Sequence, residues 1–247
     1  MGKEGGIAVE SYVPRLRTNL DTNFLKLVAT AAMLVDHVGA IFFPAYPVFR
    51  WIGRISFPIF CYCMVVGLLY TRSFPRYLGR VGLFALLSQP CWALALYPNA
   101  FLWGLLGSLN IFFTLFFSLL AVWGWSRRSW GWFLLGLAAS LILPCDYHAG
   151  GILWMLLFYL CRNRPAAGAA GYLLYTLWTA LVGRQAGEVF TFVVNGLPIG
   201  YEIFLLGAFP FLFLHTQFHP RINKWFFYGF YPLHLLAIGL IRLALEI

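Results

Sequence analysis

From residue 25 onward the chain alternates long apolar runs with short polar breaks. The runs extend over about Leu25–Phe43, Trp51–Tyr70, Tyr77–Leu96, Leu102–Trp125, Trp130–Leu143, Ile152–Cys161, Ala166–Val182, Tyr201–Leu214 and Phe226–Leu245. The breaks carry turn and helix-stop residues: Pro44, Ser73-Phe-Pro75, Tyr97-Pro-Asn-Ala, Ser126-Arg-Arg-Ser, the stretch Pro144 to Gly151, and Arg162-Asn-Arg-Pro. A helix crosses the hydrocarbon core with about 20 apolar residues. The pattern therefore predicts an all-α, polytopic membrane bundle of about nine transmembrane helices, with the Ile152–Cys161 run short for the task. Residues 1–23 read as a polar N-terminal tail and 24–247 as the membrane domain. The loop 183–200 holds an apolar piece, Val189–Val194, too short to cross alone and expected to be re-entrant or interfacial. No internal repeat stands out.

Composition agrees. The chain is 62% hydrophobic and 10% charged, where a water-soluble domain carries about 25% charged residues. Its formal charge of +9 would suggest nucleic acid in a soluble protein, but here the cations sit in the short breaks. Lys3, Arg15, Arg17, Lys26, Arg72, Arg76, Arg80, Arg127, Arg128, Arg162, Arg164, Arg221 and Lys224 fall on alternate sides of successive runs. The opposite side receives only Arg50, Arg54, Arg184 and Arg242 of the 17 Lys and Arg. This is the positive-inside pattern; it predicts a cytoplasmic N-terminus and argues against nucleic-acid binding. The five cysteines lack zinc or redox spacing, and their odd number argues against a disulfide framework. Met1-Gly-Lys-Glu-Gly-Gly fits neither a signal peptide nor a myristoylation site.

Against this background the ionisable residues inside the runs become informative, since each costs at least about 2.5 kcal/mol in hydrocarbon. The first run carries Asp36 and His37 side by side, and the second opens with Arg50 and Arg54. Counting depth along helices puts Asp36, His37, Arg54, Asn110 and His234 in one layer, the outer half of the membrane, with Asp146 and Tyr147 at its mouth. His37 is the natural general base, because imidazole titrates near neutrality. Asp36 and His37 point about 100° apart on a helix and cannot simply pair. Asp36 is expected to meet Arg54, either as a structural ion pair or to orient another group. Arg50 and Arg54 repel at i,i+4, which an anion, Asp36 or substrate, would relieve; Arg50 alternatively snorkels at the boundary. Arg72, Arg76 and Arg80 either grip phosphates or only mark topology. No ligand spacing supports a metal at His37, His234, Asp146 and His148.

Seven short words occur in a fixed order: Leu25-Lys26, Asp36-His37, Arg50 to Pro58, Tyr70-Thr71-Arg72 with Tyr77 to Arg80, Asn110 to Leu115, Asp146 to Leu153, and Phe226 to His234. Together they resemble the TraX family of membrane proteins, whose type member N-acetylates a conjugative pilin. Gln89 departs from the pattern, which has an acidic residue there. The resemblance implies a bacterial inner-membrane acetyltransferase that moves acetyl from cytoplasmic acetyl-CoA to an amine, such as a pilin-like peptide N-terminus, or to a hydroxyl of an extracytoplasmic glycan. In that reading His37, Asp36, Arg54 and His234 are catalytic. His234 assists proton transfer or transiently carries the acetyl group, and Arg54 or Asn110 meets the oxyanion. Arg72, Arg76, Arg80, Arg50 and Asn110 face the acetyl-CoA, and Asp146, Tyr147 and Tyr231 face the acceptor. The rival reading is a proton-coupled transporter or channel with Asp36, His37 and Arg54 as relay; repeat symmetry and broken helices would favour it, and neither is legible in the sequence.

Overall fold

The computed structural model describes residues 19–182, 192–194 and 197–246. Eleven α-helices occur among them: α1 Thr22–Phe42, α2 Val48–Gly53, α3 Ser56–Tyr70, α4 Phe74–Leu96, α5 Phe101–Leu106, α6 Ile111–Ser126, α7 Trp130–Ile142, α8 Gly150–Leu160, α9 Pro165–Val182, α10 Phe209–Phe213 and α11 Lys224–Ala244. A 3-10 helix, Tyr201–Ala208, leads into α10. Four segments are long and apolar enough to cross a bilayer: Thr22–Phe42, Val48–Tyr70 (α2 and α3 together), Phe74–Leu96 and Lys224–Ala244. The middle runs expected as further spans are shorter. Helices α6, α7 and α8 have 16, 13 and 11 residues. The span expected over Leu102–Trp125 is cut in two at residues 107–110.

The described part begins at residue 19, inside the polar segment expected over 1–23. Asn19 and Asp21 are buried and tie the chain's beginning to the segment after α10. Asn19 Nδ2 donates to the Phe211 carbonyl (2.9 Å) and Thr216 Oγ1 (3.0 Å), and the Tyr62 hydroxyl donates to the Asn19 carbonyl (2.7 Å). Asp21 caps α1 by accepting from Phe24 N–H and also accepts from His219 N–H (2.7 Å). Burial pushes the Asp21 carboxyl up, but the His219 and Phe24 N–H groups and the His219 ring outweigh it, so its pKa lies below the ordinary 3.8. Residues 1–18 lie outside the described part.

The core is apolar and centred on α3, whose Phe57, Ile59, Cys61, Tyr62 and Val65 pack with Leu115, Leu119, Trp154, Met155 and Tyr172 from α6, α8 and α9. A second cluster joins α1, α4 and α11 through Met33, Trp92, Tyr231, Leu235 and Ile238. The outer faces are apolar too. Leu83, Leu86 and Leu87 on α4, Leu134, Leu135 and Ile142 on α7, and Leu233 and Leu240 on α11 are exposed, as lipid-facing surfaces require. Arg242 at the end of α11 donates to the last carbonyls of α4, Ala95 (2.9 Å) and Leu96 (3.1 Å), satisfying acceptors that the helix end leaves open.

Residues 192–194, part of the piece expected to be re-entrant or interfacial, pair antiparallel with 197–199, Phe192 with Ile199 and Val194 with Leu197. The remainder of the 189–194 piece, residues 189–191, lies outside the described residues.

Two interruptions of helix shape the interior. Between α5 and α6 the chain unwinds at 107–110, and between α7 and α8 it turns through Tyr147 and His148, both with left-handed φ (59° and 40°). The two irregular segments meet: Leu109 N–H donates to the Pro144 carbonyl (2.9 Å), and Thr114 Oγ1 donates to the Asp146 carbonyl (2.7 Å). Gln89 on α4 holds the first break. Its Nε2 faces the carbonyls of Gly104 (2.9 Å), Leu105 (3.2 Å) and Ser108 (2.8 Å). Its Oε1 accepts from Asn110 N–H (3.0 Å) and Asn110 Nδ2 (2.7 Å). In a membrane protein irregular backbone persists where protein satisfies it or where it lines a cavity, and both hold here: Gln89 ties the first segment, and Ser108, Asp146 and Tyr147 line a cavity. The break at 107–110, which the sequence did not reveal, is thus a feature of the fold.

Candidate active site

A cavity of about 440 Å³ opens among α1, α2, α3, α4, α11 and the two irregular segments. Its lining includes Asp36, His37, Arg50, Arg54, Asp146, Tyr147, Tyr201, Glu202 and Tyr231. Of these, the sequence placed Asp36, His37 and Arg54 in one layer with Asp146 and Tyr147 at its mouth; the structure puts them around one space, with His234 behind His37 and outside the lining.

Asp36 and His37, being neighbours on α1, look in different directions and find different partners. Asp36 Oδ2 accepts from Arg50 Nη1 at 2.5 Å, whereas Arg54 Nη2 lies 3.9 Å from Oδ1. The expected Asp36–Arg54 pair is thus secondary, and Arg50 is the main partner. Arg50 lies on α2, which packs directly against α1, and Arg54 follows as the cap of the same helix. Gly53 permits this approach, since a Cβ there would overlap the Asp36 side chain. Arg54, almost fully buried, lies over the rings of Tyr201 (4.8 Å) and Tyr147 (5.6 Å), and its Nε has no hydrogen-bond partner. Arg54 stays within 3.9 Å of Asp36 and shares the cavity wall with Glu202.

His37 Nδ1 lies 2.8 Å from His234 Nε2, the rings nearly parallel at 15°. His234 Nδ1 in turn lies 2.8 Å from the Phe230 carbonyl oxygen. A carbonyl only accepts, so His234 carries its proton on Nδ1 and offers a lone pair at Nε2. His37 must then donate through Nδ1–H, and its Nε2 is left as the unprotonated nitrogen. The backbone carbonyl of Phe230 thereby fixes the tautomer of both rings, the task that an orienting carboxylate performs in other base-containing sites. Trp92 and Tyr231 pack around His37 with ring centroids 6.0 and 6.1 Å away.

The turn at 146–147 forms the opposite wall. Tyr147 stacks on Phe57 at 3.8 Å. Burial pushes the Asp146 carboxyl above the usual carboxylate range, offset only in part by Arg54 and Arg50. Tyr231 joins the lining from α11.

Other expected site residues sit elsewhere. Asn110 is fully buried, but its carboxamide is spent on structure: Nδ2 donates to the Ala85 carbonyl and Gln89 Oε1, and Oδ1 caps α6 through Phe112 N–H. It is not in the cavity lining, and no donor remains for an oxyanion. Arg72 and Arg76 are exposed and line neither large cavity. Arg80 lines a second cavity, of about 530 Å³, together with Lys26 and Lys224. Among the described residues, no group of three or more His, Cys, Asp or Glu could hold a metal ion. Sequence reasoning missed Tyr201 and Glu202. A glutamate opening an apolar run was a signal available to it.

Comparison with known proteins agrees with this architecture's breadth. The family profile described as TraX protein matches residues 21–242. The chain is 28% identical over 240 residues to the probable fimbrial assembly protein FimC, serogroup H1, of Dichelobacter nodosus, covering 90% of this chain and 96% of that one. A 40-residue stretch is 42% identical to an uncharacterised protein of Rickettsia prowazekii, 16% of either chain. No solved structure matches. With a family match running from the cap of the first helix to the end of the last, and enclosing every residue of the histidine cavity, the chain belongs to the TraX protein family.

Proposed function

We propose that this protein is a membrane-embedded acetyltransferase that moves an acetyl group from acetyl-CoA to an acceptor amine or hydroxyl, with His37 as general base. The observation that carries the reading is the chain from the Phe230 carbonyl through His234 to His37, which leaves a tautomer-fixed imidazole nitrogen on a cavity that also holds the buried Arg54. The acceptor nitrogen or oxygen attacks the thioester carbonyl. As the C–N or C–O bond forms, His37 Nε2 takes the acceptor's proton, and His234 Nε2 accepts a strengthened hydrogen bond from the now cationic ring. Arg54 meets the oxyanion. When the tetrahedral intermediate collapses, the C–S bond breaks and the proton passes to the departing CoA sulfur. No electrons are exchanged and no water is consumed. Asp146 and Tyr147, at the rim, receive the acceptor.

The name of the Dichelobacter relative, a probable fimbrial assembly protein, favours a pilin-like peptide N-terminus as acceptor over an extracytoplasmic glycan. The cation distribution supports a bacterial inner-membrane protein with its N-terminus in the cytoplasm and further, shorter crossings beside the four long helices, up to about nine. The helix breaks around the cavity favour one competing reading, a proton-coupled transporter using Asp36, His37 and Arg54. One experiment separates them. The purified full chain in nanodiscs is incubated with radiolabelled acetyl-CoA and either a pilin-type peptide or an envelope extract, wild type against His37→Gln. Transfer that falls at least about 100-fold in the variant supports the proposal. Undiminished transfer in the variant removes His37 as base, and no turnover with any acceptor moves the transporter reading to first place.

A further inference from the structure

We infer that the second cavity is the port for the phosphate-bearing end of the thioester donor, and that Phe60 is the partition between it and the histidine cavity. The inference rests on the acetyltransferase reading above. The second cavity, about 530 Å³, is lined by Lys26, Arg80 and Lys224, brought from α1, α4 and α11. None of the three makes an ion pair with a carboxylate among the described residues, and Arg80 Nε is buried without a hydrogen-bond partner. Their partners are neutral: Lys26 lies over the Phe227 ring (5.4 Å), Lys224 over Trp225 (5.5 Å) and Arg80 over Tyr77 (5.8 Å), with Arg80 also hydrogen-bonded to Tyr228. Three cations facing one space without a carboxylate repel one another, and a polyanion relieves all three together. Below them the cavity is mainly apolar, which suits an uncharged arm and not a free anion.

The two cavities lie toward opposite ends of the same helices. Along α1, Lys26 precedes His37 by three turns, about 16 Å. An extended pantetheine-length arm covers such a distance. Phe60 lines both spaces, so a thioester advancing from the cationic end passes that ring to reach His37. Arg72 and Arg76, expected to hold phosphates, are replaced in this role by Lys26 and Lys224.

The test measures binding of radiolabelled CoA, which has no acetyl group to transfer, to the full chain in phosphatidylcholine nanodiscs. Lys26→Ala, Arg80→Ala and Lys224→Ala are each compared with wild type, alongside S-acetylpantetheine, which lacks the phosphates. The expected result is a loss of CoA affinity of about tenfold per variant, with S-acetylpantetheine unaffected and thermal unfolding unchanged. Phe60→Trp should leave CoA affinity intact and lower acetyl transfer at least about tenfold. Equal CoA binding by wild type and all three variants overturns the port while leaving the acetyltransferase reading in place. Failure of wild type to bind CoA takes both down. A second arm replaces phosphatidylcholine with phosphatidylglycerol and weighs retained lipid by native mass spectrometry. If the variants shed bound phosphatidylglycerol yet keep CoA affinity, the cations hold a lipid headgroup and the port is overturned. Unchanged transfer in Phe60→Trp overturns the partition.

Discussion

Replacing Gln89 by glutamate changes one NH2 for one oxygen, and the structure makes that change expensive. The Oε1 side is unaffected, because a carboxylate accepts from Asn110 N–H and Nδ2 as the amide does. The Nε2 side reverses: carbonyls of Gly104, Leu105 and Ser108, now 2.8 to 3.2 Å from a donor, would face an acceptor. Nε2 has two hydrogens, so two buried hydrogen bonds are lost. At about 1–3 kcal/mol for each buried acceptor left unmatched, Gln89→Glu should destabilise the fold by about 2–6 kcal/mol. Protonating the new carboxyl restores one donor, so part of the loss should return on acidification. The assay is reversible unfolding in mixed micelles followed by tryptophan fluorescence, at neutral and mildly acidic pH, with Gln89→Met as an apolar comparison that loses both sides. A Gln89→Glu protein within 0.5 kcal/mol of wild type at neutral pH would refute the idea that this side chain holds the α5–α6 break together.

Three other expectations follow from the same geometry. His234→Phe keeps the ring but removes the acceptor for His37 Nδ1–H; kcat should drop about 10- to 100-fold, equivalent to the ~1.5–3 kcal/mol of a charge-assisted hydrogen bond, with KM for acetyl-CoA little changed in steady-state assays. Gly53→Ala forces a methyl into the Asp36 side chain and should cost about 1–3 kcal/mol of stability; in an Asp36→Ala background, compared with that parent, the same substitution should cost much less, a coupling read by a double-mutant cycle. Asp21, held below its ordinary pKa by N–H donors, contributes stability that is complete above pH ~4 and declines as pH falls through its lowered native value; Asp21→Asn should remove that part of the acid dependence in pH-jump unfolding, and identical acid profiles would argue against the cap.

How much of this was legible beforehand differs residue by residue. The Asp-His pair in the first apolar run and the arginines after it were visible because charge inside hydrocarbon is costly, and counting helical rise put His37 and His234 at comparable depth. Which atoms meet was not visible, since a contact across 197 positions leaves no local mark. The break at 107–110 was hidden for a related reason. Leu102–Trp125 contains no proline and reads as one apolar run; what makes unwinding tolerable is a glutamine on another helix. The same applies to Asp36: both Arg50 and Arg54 reach it, and which one takes Oδ2 depends on how α2 packs on α1, which a local pattern cannot specify. Depth, a one-dimensional quantity, was readable; azimuth was not.

The separation between the two histidines also governs when the protein becomes competent. They are 197 residues apart, and the Asn19 ties to Thr216 span the same distance. At about 5–20 residues per second, roughly 10–40 s pass between synthesis of His37 and of His234. During that interval Asp36 already has Arg50, only 14 positions away, so the charged pair is neutralised early in the nascent chain. The imidazole remains without its orienting partner until the last helix enters the bilayer. Chains that stall before His234 would insert, bury their carboxylate and leave His37 Nδ1–H without its acceptor. Under the proposed function, emergence of His234 is the step that switches the site on.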